Sequence, residues 1–325
     1  MRFILFFAIG FLLFACEDRF EQEKPSCIYQ LEITATTSPP NPIDVYPNYS
    51  IPKFIPGQAD EFLFLKERRN KSEIIFKNLE TNPSQVIQEV DRHIRWYDIN
   101  AQKQILMLIG DSIYISNYDE KPRLLLMDSP PSGKLGKCEW ADGDILVLVG
   151  VSSIWRVTPD GETIKQYDFP IPIIDFWIGE DLLVIANIED LYVYDREGEN
   201  LINSFFIEDF FKLPYATSGT VGLLSRNHIS LAVGKSRSSE VEDLIYFSTY
   251  ENIFSIKNDR GEVPQVEWRR WGCIFPDVGL DIAFEDHATP HILFTAIDME
   301  SGWDERILGI NYIDPIGTEL FLSSD

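Results

Sequence analysis

An all-β fold of short antiparallel strands in repeated units is the class this sequence predicts, on three observations. From about residue 60 onward, short apolar runs recur at regular spacing with almost no helical periodicity. Three segments superimpose: Gln104 onward reads QILMLIGDSIYISNYDEKPRLLLM, Asp144 onward DILVLVGVSSIWRVTPDGETIKQYDF, and Asp181 onward DLLVIANIEDLYVYDREGENLINSFF. In each, an aliphatic strand is followed by a strand with a central aromatic, and those aromatics (Tyr114, Trp155, Tyr192) recur with a period of about 40 residues. Roughly four strands per period is the signature of a β-propeller blade. A two-sheet sandwich is the competing architecture, and it would not account for the repeat.

Taken from the N-terminus, the chain opens MRFILFFAIGFLLFAC. Arg2 precedes an unbroken apolar run, Phe3 to Phe14, which suits a secretory h-region and falls short of the about 20 residues a spanning helix needs. Leu13-Phe14-Ala15-Cys16 resembles the bacterial lipobox, with Phe14 bulkier than the residue usual at its place. That resemblance implies a lipoprotein signal peptide over residues 1–15, cleavage before Cys16, and a lipidated, acylated (palmitate-type) cysteine. Several acyl chains then anchor the chain stably where a single one would not. In one large Gram-negative group, acidic residues soon after the lipidated cysteine mark export to the cell surface; elsewhere an aspartate directly after it retains lipoproteins at the inner membrane. Glu17-Asp18 thus points to the outer membrane, with the cell surface favoured over the periplasmic face.

Residues 16–59 read as a lipidated N-terminus and proline-rich tether, carrying Pro25, Pro39, Pro40, Pro42, Pro47, Pro52 and Pro56. Proline fixes φ and removes donors, so this stretch is expected to be extended. One strand-like segment interrupts it, Cys27 to Ala35. Residues 60–325 read as the propeller. Its aliphatic anchor strands fall near Phe62, Ile105, Ile145, Leu182, Ile229 and Ile292, which counts six blades of about four antiparallel strands, or seven if the proline-rich segment holds another. The fifth unit is irregular, with KSRSSEVED inserted. Turns at Pro159-Asp160-Gly161, Arg196-Glu197-Gly198 and Asp259-Arg260-Gly261 read as hairpin connections in which glycine supplies φ > 0. Trp96, Trp140 and Trp177 recur at one phase, where the innermost strand of a blade should end, and read as packing between blades.

A propeller is stable only when its first and last blades join, because an open ring leaves unpaired edges. The 27–35 segment is free to add to the terminal blade near residues 306–322. Cys27 would then approach Cys273, and a disulfide between them would close the loop; the alternative is three buried free thiols at Cys27, Cys138 and Cys273.

With these features in hand, residues 60–325 resemble the TolB-like and NHL-like six-bladed propellers, often lipoproteins in Gram-negative bacteria. The likeness is one of pattern, nearest at Tyr192-Val193-Tyr194-Asp195-Arg196-Glu197-Gly198, which is similar to an NHL-type strand and turn. It implies roles in envelope assembly or recognition.

Composition narrows the function further. A formal charge of −24 argues against nucleic acid, whose phosphates require basic patches, and against electrostatic adhesion to anionic lipid. The four cysteines include no CxxC and no zinc-ligand spacing. There is no GxSxG, Walker loop, HExxH or GxGxxG.

Three local clusters hold residue types that do chemistry. Asp286, His287 and His291 lie together in EDHATPH, of types that ligate a metal, though Pro290 rules out a helical zincin. Asp298, Glu300 and Asp304 crowd a stretch that departs from calcium-loop spacing. Ca2+ or another divalent cation is thus the only cofactor in view, and no catalytic residue is assigned. Trp268-Arg269-Arg270-Trp271 cannot form one patch on a strand, because period two splits it between faces, and it reads as an edge or inter-blade strand.

The sequence therefore points to a membrane-anchored, non-enzymatic propeller that binds or scaffolds a protein or glycan partner at the cell envelope. The alternatives are an envelope glycan hydrolase or lyase with an acidic, metal-binding central funnel, and a structural component of an outer-membrane assembly complex. Replacing Cys16 with Ser should release or stall the chain; unchanged membrane fractionation and acyl labelling in Cys16→Ser would defeat the lipobox reading.

Overall fold

The aliphatic strands of the sequence are buried on both faces, and that fixes the architecture. The computed structural model describes residues 48–212 apart from 59, 69, 79–83, 119, 127–133 and 180, and beyond these the strands from 230–235 to 317–323 given below. Residues 1–15, read above as a signal peptide, Cys16, the 27–35 segment and Cys273 lie outside the described residues. The protein is all-β, with four-stranded antiparallel sheets in a propeller arrangement, each sheet built from four consecutive strands.

The first sheet is β1 (Asn48–Phe54), β2 (Glu61–Arg68), β3 (Lys71–Asn78) and β4 (Gln85–Val90). The second is β5 (Ile94–Ile99), β6 (Ile105–Ile109), β7 (Ser112–Ser116) and β8 (Arg123–Leu126). The third is β9 (Leu135–Ala141), β10 (Asp144–Val149), β11 (Ser153–Val157) and β12 (Thr163–Asp168). The fourth is β13 (Asp175–Ile178), β14 (Leu182–Ala186), β15 (Asp190–Asp195) and β16 (Leu201–Phe206), followed by one helical turn, α1 (Ile207–Phe210). The fifth is β17 (Ser230–Lys235), β18 (Asp243–Ser248), β19 (Asn252–Lys257) and β20 (Gln265–Arg269). The sixth is β21 (Ile274–Glu285), β22 (Thr289–Asp298), β23 (Arg306–Asp314) and β24 (Gly317–Ser323).

Second strands show why the sheets must stack side by side. Every residue of β6 (ILMLI) and β14 (LLVIA) is buried. Period two sends Ile105, Met107 and Ile109 into the cluster shared with Leu63, Leu65 and Ile74 of the first sheet. Leu106 and Leu108 go the other way, to Ile145 and Val147 of the third. β10 and β14 repeat the device, with Leu146 and Leu148 meeting Leu183 and Ile185. Val184 then faces Ile245 and Phe247 of the fifth sheet. Each such residue contributes about 1.5–3 kcal/mol by leaving water, so the apolar walls between sheets carry most of the favourable energy.

The first strands contact one another around the ring: β5 packs on β9, β9 on β13, β13 on β17, β17 on β21, and β21 returns to β1. The seam is therefore closed by packing of β1 against β21. The sixth sheet supplies all four of its own strands.

Two features differ from the sequence reading. Residues 48–54, read as tether, form β1 and pair with β2. Pro52 obscures them, and the strand accommodates it with a bulge between Ser50 and Lys53 at which Ile51 takes φ 52°. In the fifth sheet, the segment read as the anchor near Ile229 is the first strand, and β18 occupies the anchor place, because the insertion falls between β17 and β18. Gly161 and Gly198 do take positive φ, 91° and 69°, in their hairpin turns.

Phe254 is fully buried between the fourth and fifth sheets, its ring 5.0 Å from Phe247 and 5.5 Å from Phe210. Phe254→Ala should lower stability by about 3–5 kcal/mol, read as a fall in the urea midpoint.

Candidate functional site

Charge collects where the sheets converge. The first strands carry Lys53 on β1, Asp98 on β5, Lys137 and Glu139 on β9, and Asp175 on β13. All but Asp98 rank as buried, and its side chain is only 13% exposed. Lysine and glutamate two apart on β9 share one face, and Cys138 between them points the other way, into the apolar wall shared with Leu106 and Ile145.

The groups form a chain. Lys53 Nζ lies 3.6 Å from Asp98 Oδ1 and 3.4 Å from Glu139 Oε1. Lys137 Nζ pairs with the same Glu139 oxygen and donates to Asp175 Oδ1 at 2.7 Å and to the carbonyl of Phe176 at 2.6 Å. Its three protons thus have three acceptors. Backbone donors hold the ends: the Trp140 N–H donates to Asp98 Oδ2 and the Leu231 N–H to Asp175 Oδ2, each at 2.8 Å. Since Leu231 is on β17, the network ties together first strands of five consecutive sheets. Trp96 lies beside it, with Lys137 Nζ 4.8 Å and Lys53 Nζ 5.5 Å from its ring centroid.

Three carboxylates face two ammonium groups in dry surroundings. Burial pushes both Asp98 and Asp175 above the usual carboxylate range; Glu139 adds to the push, while Lys53 and Lys137 oppose it. Burial also drives the Cys138 thiol well above its ordinary value, so it stays protonated and unreactive. A lysine with every proton engaged and buried carboxylates braced by backbone N–H groups make a clamp between sheets. They are not a set of groups open to a substrate.

The sequence-predicted site residues are placed as follows. His291 sits in β22, opposite Ala283 of β21 and Tyr312 of β23, two residues beyond the β21–β22 turn. Asp298 ends β22 at the opposite side, paired with Ile274. At about 3.3 Å per residue the two lie roughly 20 Å apart, so they do not belong to one site. Asp286, His287, Glu300 and Asp304 lie outside the described residues. Trp268 and Arg269 are in β20, the outermost strand of the fifth sheet. Among the described residues, no group of three His, Cys, Asp or Glu side chains is arranged to hold a metal ion. No described helix is long and apolar enough to cross a membrane.

Sequence reasoning passed over the buried charges because a lone charged residue in a strand looks solvent-facing. One signal was present. Asp98, Glu139 and Asp175 each lie within two positions of the repeated tryptophans Trp96, Trp140 and Trp177. Trp96 and Trp140 pack in the apolar wall between the second and third sheets, and Trp177 against that between the fourth and fifth.

No family model and no curated protein matches the chain. It is similar to the crystal structure of a protein of unknown function from Bacteroides caccae, at 13% identity and TM-score 0.45, covering 74% of this chain and 90% of that one. It is similar to the N-terminal domain of Nup159 at 12% identity and TM-score 0.46, covering 87% and 77%. A chain in the mitotic checkpoint complex gives 11% identity and TM-score 0.50, covering 89% and 85%. At such identities the likeness speaks to the fold alone.

Lys137→Met should leave Asp175 as an uncompensated buried charge, while Glu139 keeps Lys53, and destabilise by about 3–5 kcal/mol at neutral pH. Burial already pushes Asp175 up and Lys137 opposes that push, so the folded variant would hold the Asp175 proton more tightly than the unfolded chain does. Part of the loss should accordingly be recovered as pH falls. Urea midpoints of both proteins at pH 7 and pH 5 check this; a gap that does not narrow at pH 5 contradicts it.

Proposed function

We propose that this chain is a lipid-anchored, non-enzymatic propeller that binds or scaffolds a protein or glycan at the bacterial cell envelope. Its six sheets act as six blades of one ring of the TolB-like or NHL-like kind, held at the outer membrane, cell-surface side, through Cys16.

One observation carries the reading. The charged side chains described at the centre of the ring are spent on one another: Lys53 on Asp98 and Glu139, Lys137 on Glu139 and Asp175. A glycan hydrolase needs a pair of carboxyl groups that reach substrate. Here Asp98 and Asp175 are turned into the clamp, which leaves rims and outer strands as the surfaces that meet a partner. A rigid scaffold presenting variable edges suits recognition.

The test combines capture and catalysis. Crosslinking in intact cells followed by membrane extraction of the full chain should recover a discrete envelope partner, and recovery should fall in Cys16→Ser. Purified chain incubated with isolated envelope glycans should release no new reducing ends; steady release would overturn the reading in favour of the hydrolase. Protease shaving of intact cells should remove the protein, and protection would move it to the periplasmic face.

A further inference from the structure

Outer strands are where a propeller keeps unpaired backbone donors and acceptors, and proteins blunt such edges with charge. Five of the six outer strands follow that rule: β4 carries Glu89, β8 Arg123, β12 Lys165 and Asp168, β20 Glu267 and Arg269, and β24 Glu319. β16 reads LINSFF and has no charged residue, no proline and no glycine.

Its side chains are exposed as well as apolar. Leu201 is 53% exposed, Phe206 43% and Ile202 39%, while Ile188, in the turn before β15, is 44% exposed. Phe206 pairs with Asp190, and the Ile207 N–H donates to the carbonyl of Glu189, so Ile188 lies close to the C-terminal end of β16. Phe205 turns the other way and packs against the apolar cluster between the fourth and fifth sheets, which seats the strand. β16 pairs with β15 on one side and is the last strand of its sheet.

The surroundings are strongly acidic. Residues 187–212 hold seven carboxylates against two basic side chains. Glu197 and Glu199 lie in the turn before β16, where Lys165 of the third sheet pairs with both, and Glu208 and Asp209 lie in α1 just after it, where Lys212 pairs with Asp209; carboxylates remain in excess at both ends. An apolar strip bracketed by acid at both ends disfavours a second copy of a chain whose formal charge is −24, and favours an extended segment flanked by lysine or arginine.

We propose that the outer edge of β16, with Ile188 beside it, is a docking site at which an extended apolar segment of a basic partner protein adds as a fifth strand to the fourth sheet. Main-chain hydrogen bonds would supply affinity, the exposed Leu201, Ile202 and Phe206 would take alternate side chains, and the flanking acids would choose basic ends. The partner's chemistry rests on the binding reading above; the edge itself does not.

The probe is a fluorescent peptide of alternating valine and threonine with two lysines at each end, titrated with the full chain and read by anisotropy. It should bind, and an Ile202→Lys, Phe206→Lys double variant should bind at least tenfold more weakly with its thermal midpoint kept within a few degrees. Leu124→Lys, on the outer strand of the second sheet, should leave binding unchanged. The same peptide N-methylated throughout should not bind. Undiminished binding by the double variant, binding of the N-methylated peptide, or equal binding of a glutamate-flanked peptide would overturn the proposal. Dimerisation of the full chain that the double variant abolishes would overturn it in favour of a second copy. If the double variant still captures the same envelope partner from cells, the edge is refuted while the binding reading stands.

Discussion

Each sheet in this protein is too apolar to stand alone. β6 and β14 have no residue that tolerates water, and period two commits half of their side chains to each face, so every sheet needs a neighbour on both sides. A stack of such sheets has no natural end except closure on itself, and contact of β1 with β21 provides it. Propeller geometry, in turn, brings the first strands together, as the contacts of β5 with β9, β13 with β17 and β21 with β1 show. What they place there then becomes a problem of electrostatics.

The solution found is ionic where an aliphatic plug would have served. Replacing a buried ion network with well-packed apolar groups often costs nothing or stabilises, so the clamp of Lys53, Asp98, Lys137, Glu139 and Asp175 is not explained as a source of stability. Directionality separates it from an apolar plug. Lys137 reaches Glu139 within its own sheet and Asp175 in the next, and Asp175 reaches on to Leu231, so the links that cross between sheets are satisfied only when those sheets hold one relative height. Aliphatic contact is non-directional and specifies that height less sharply.

Much of this was legible beforehand, and the limits have physical causes. Continuous runs such as ILMLI and LLVIA announce double-sided burial, and the recurring aromatics announce the period, so the strands of the second, third and fourth sheets fall where the repeats lie. β1 was hidden because Ile51-Pro52 reads as a breaker; a bulge with a β-branched residue at φ 52° is a conformation that only surrounding structure can impose. The same bulge alters the stagger of the strand just before Lys53, at a point no propensity could indicate. The charged centre was hidden because burial of an isolated lysine depends on partners distant in sequence: Lys137 and Asp175 are 38 residues apart, and Lys53 and Glu139 are 86 apart. His291 and Asp298, read from the sequence as members of two separate clusters, stand near opposite ends of β22.

Among the described residues, each sheet is built from four strands contiguous in sequence. Each hairpin stack is therefore able to form as soon as its own residues emerge during synthesis. The first sheet, however, acquires its second neighbour only when the last arrives, more than two hundred residues later. Until then one apolar wall stays wet at each end of a growing arc. Such a molecule assembles as a crescent with two sticky ends and becomes inert only at its final joint, so the interval before that joint, rather than the finished ring, is when it most needs shielding from its neighbours.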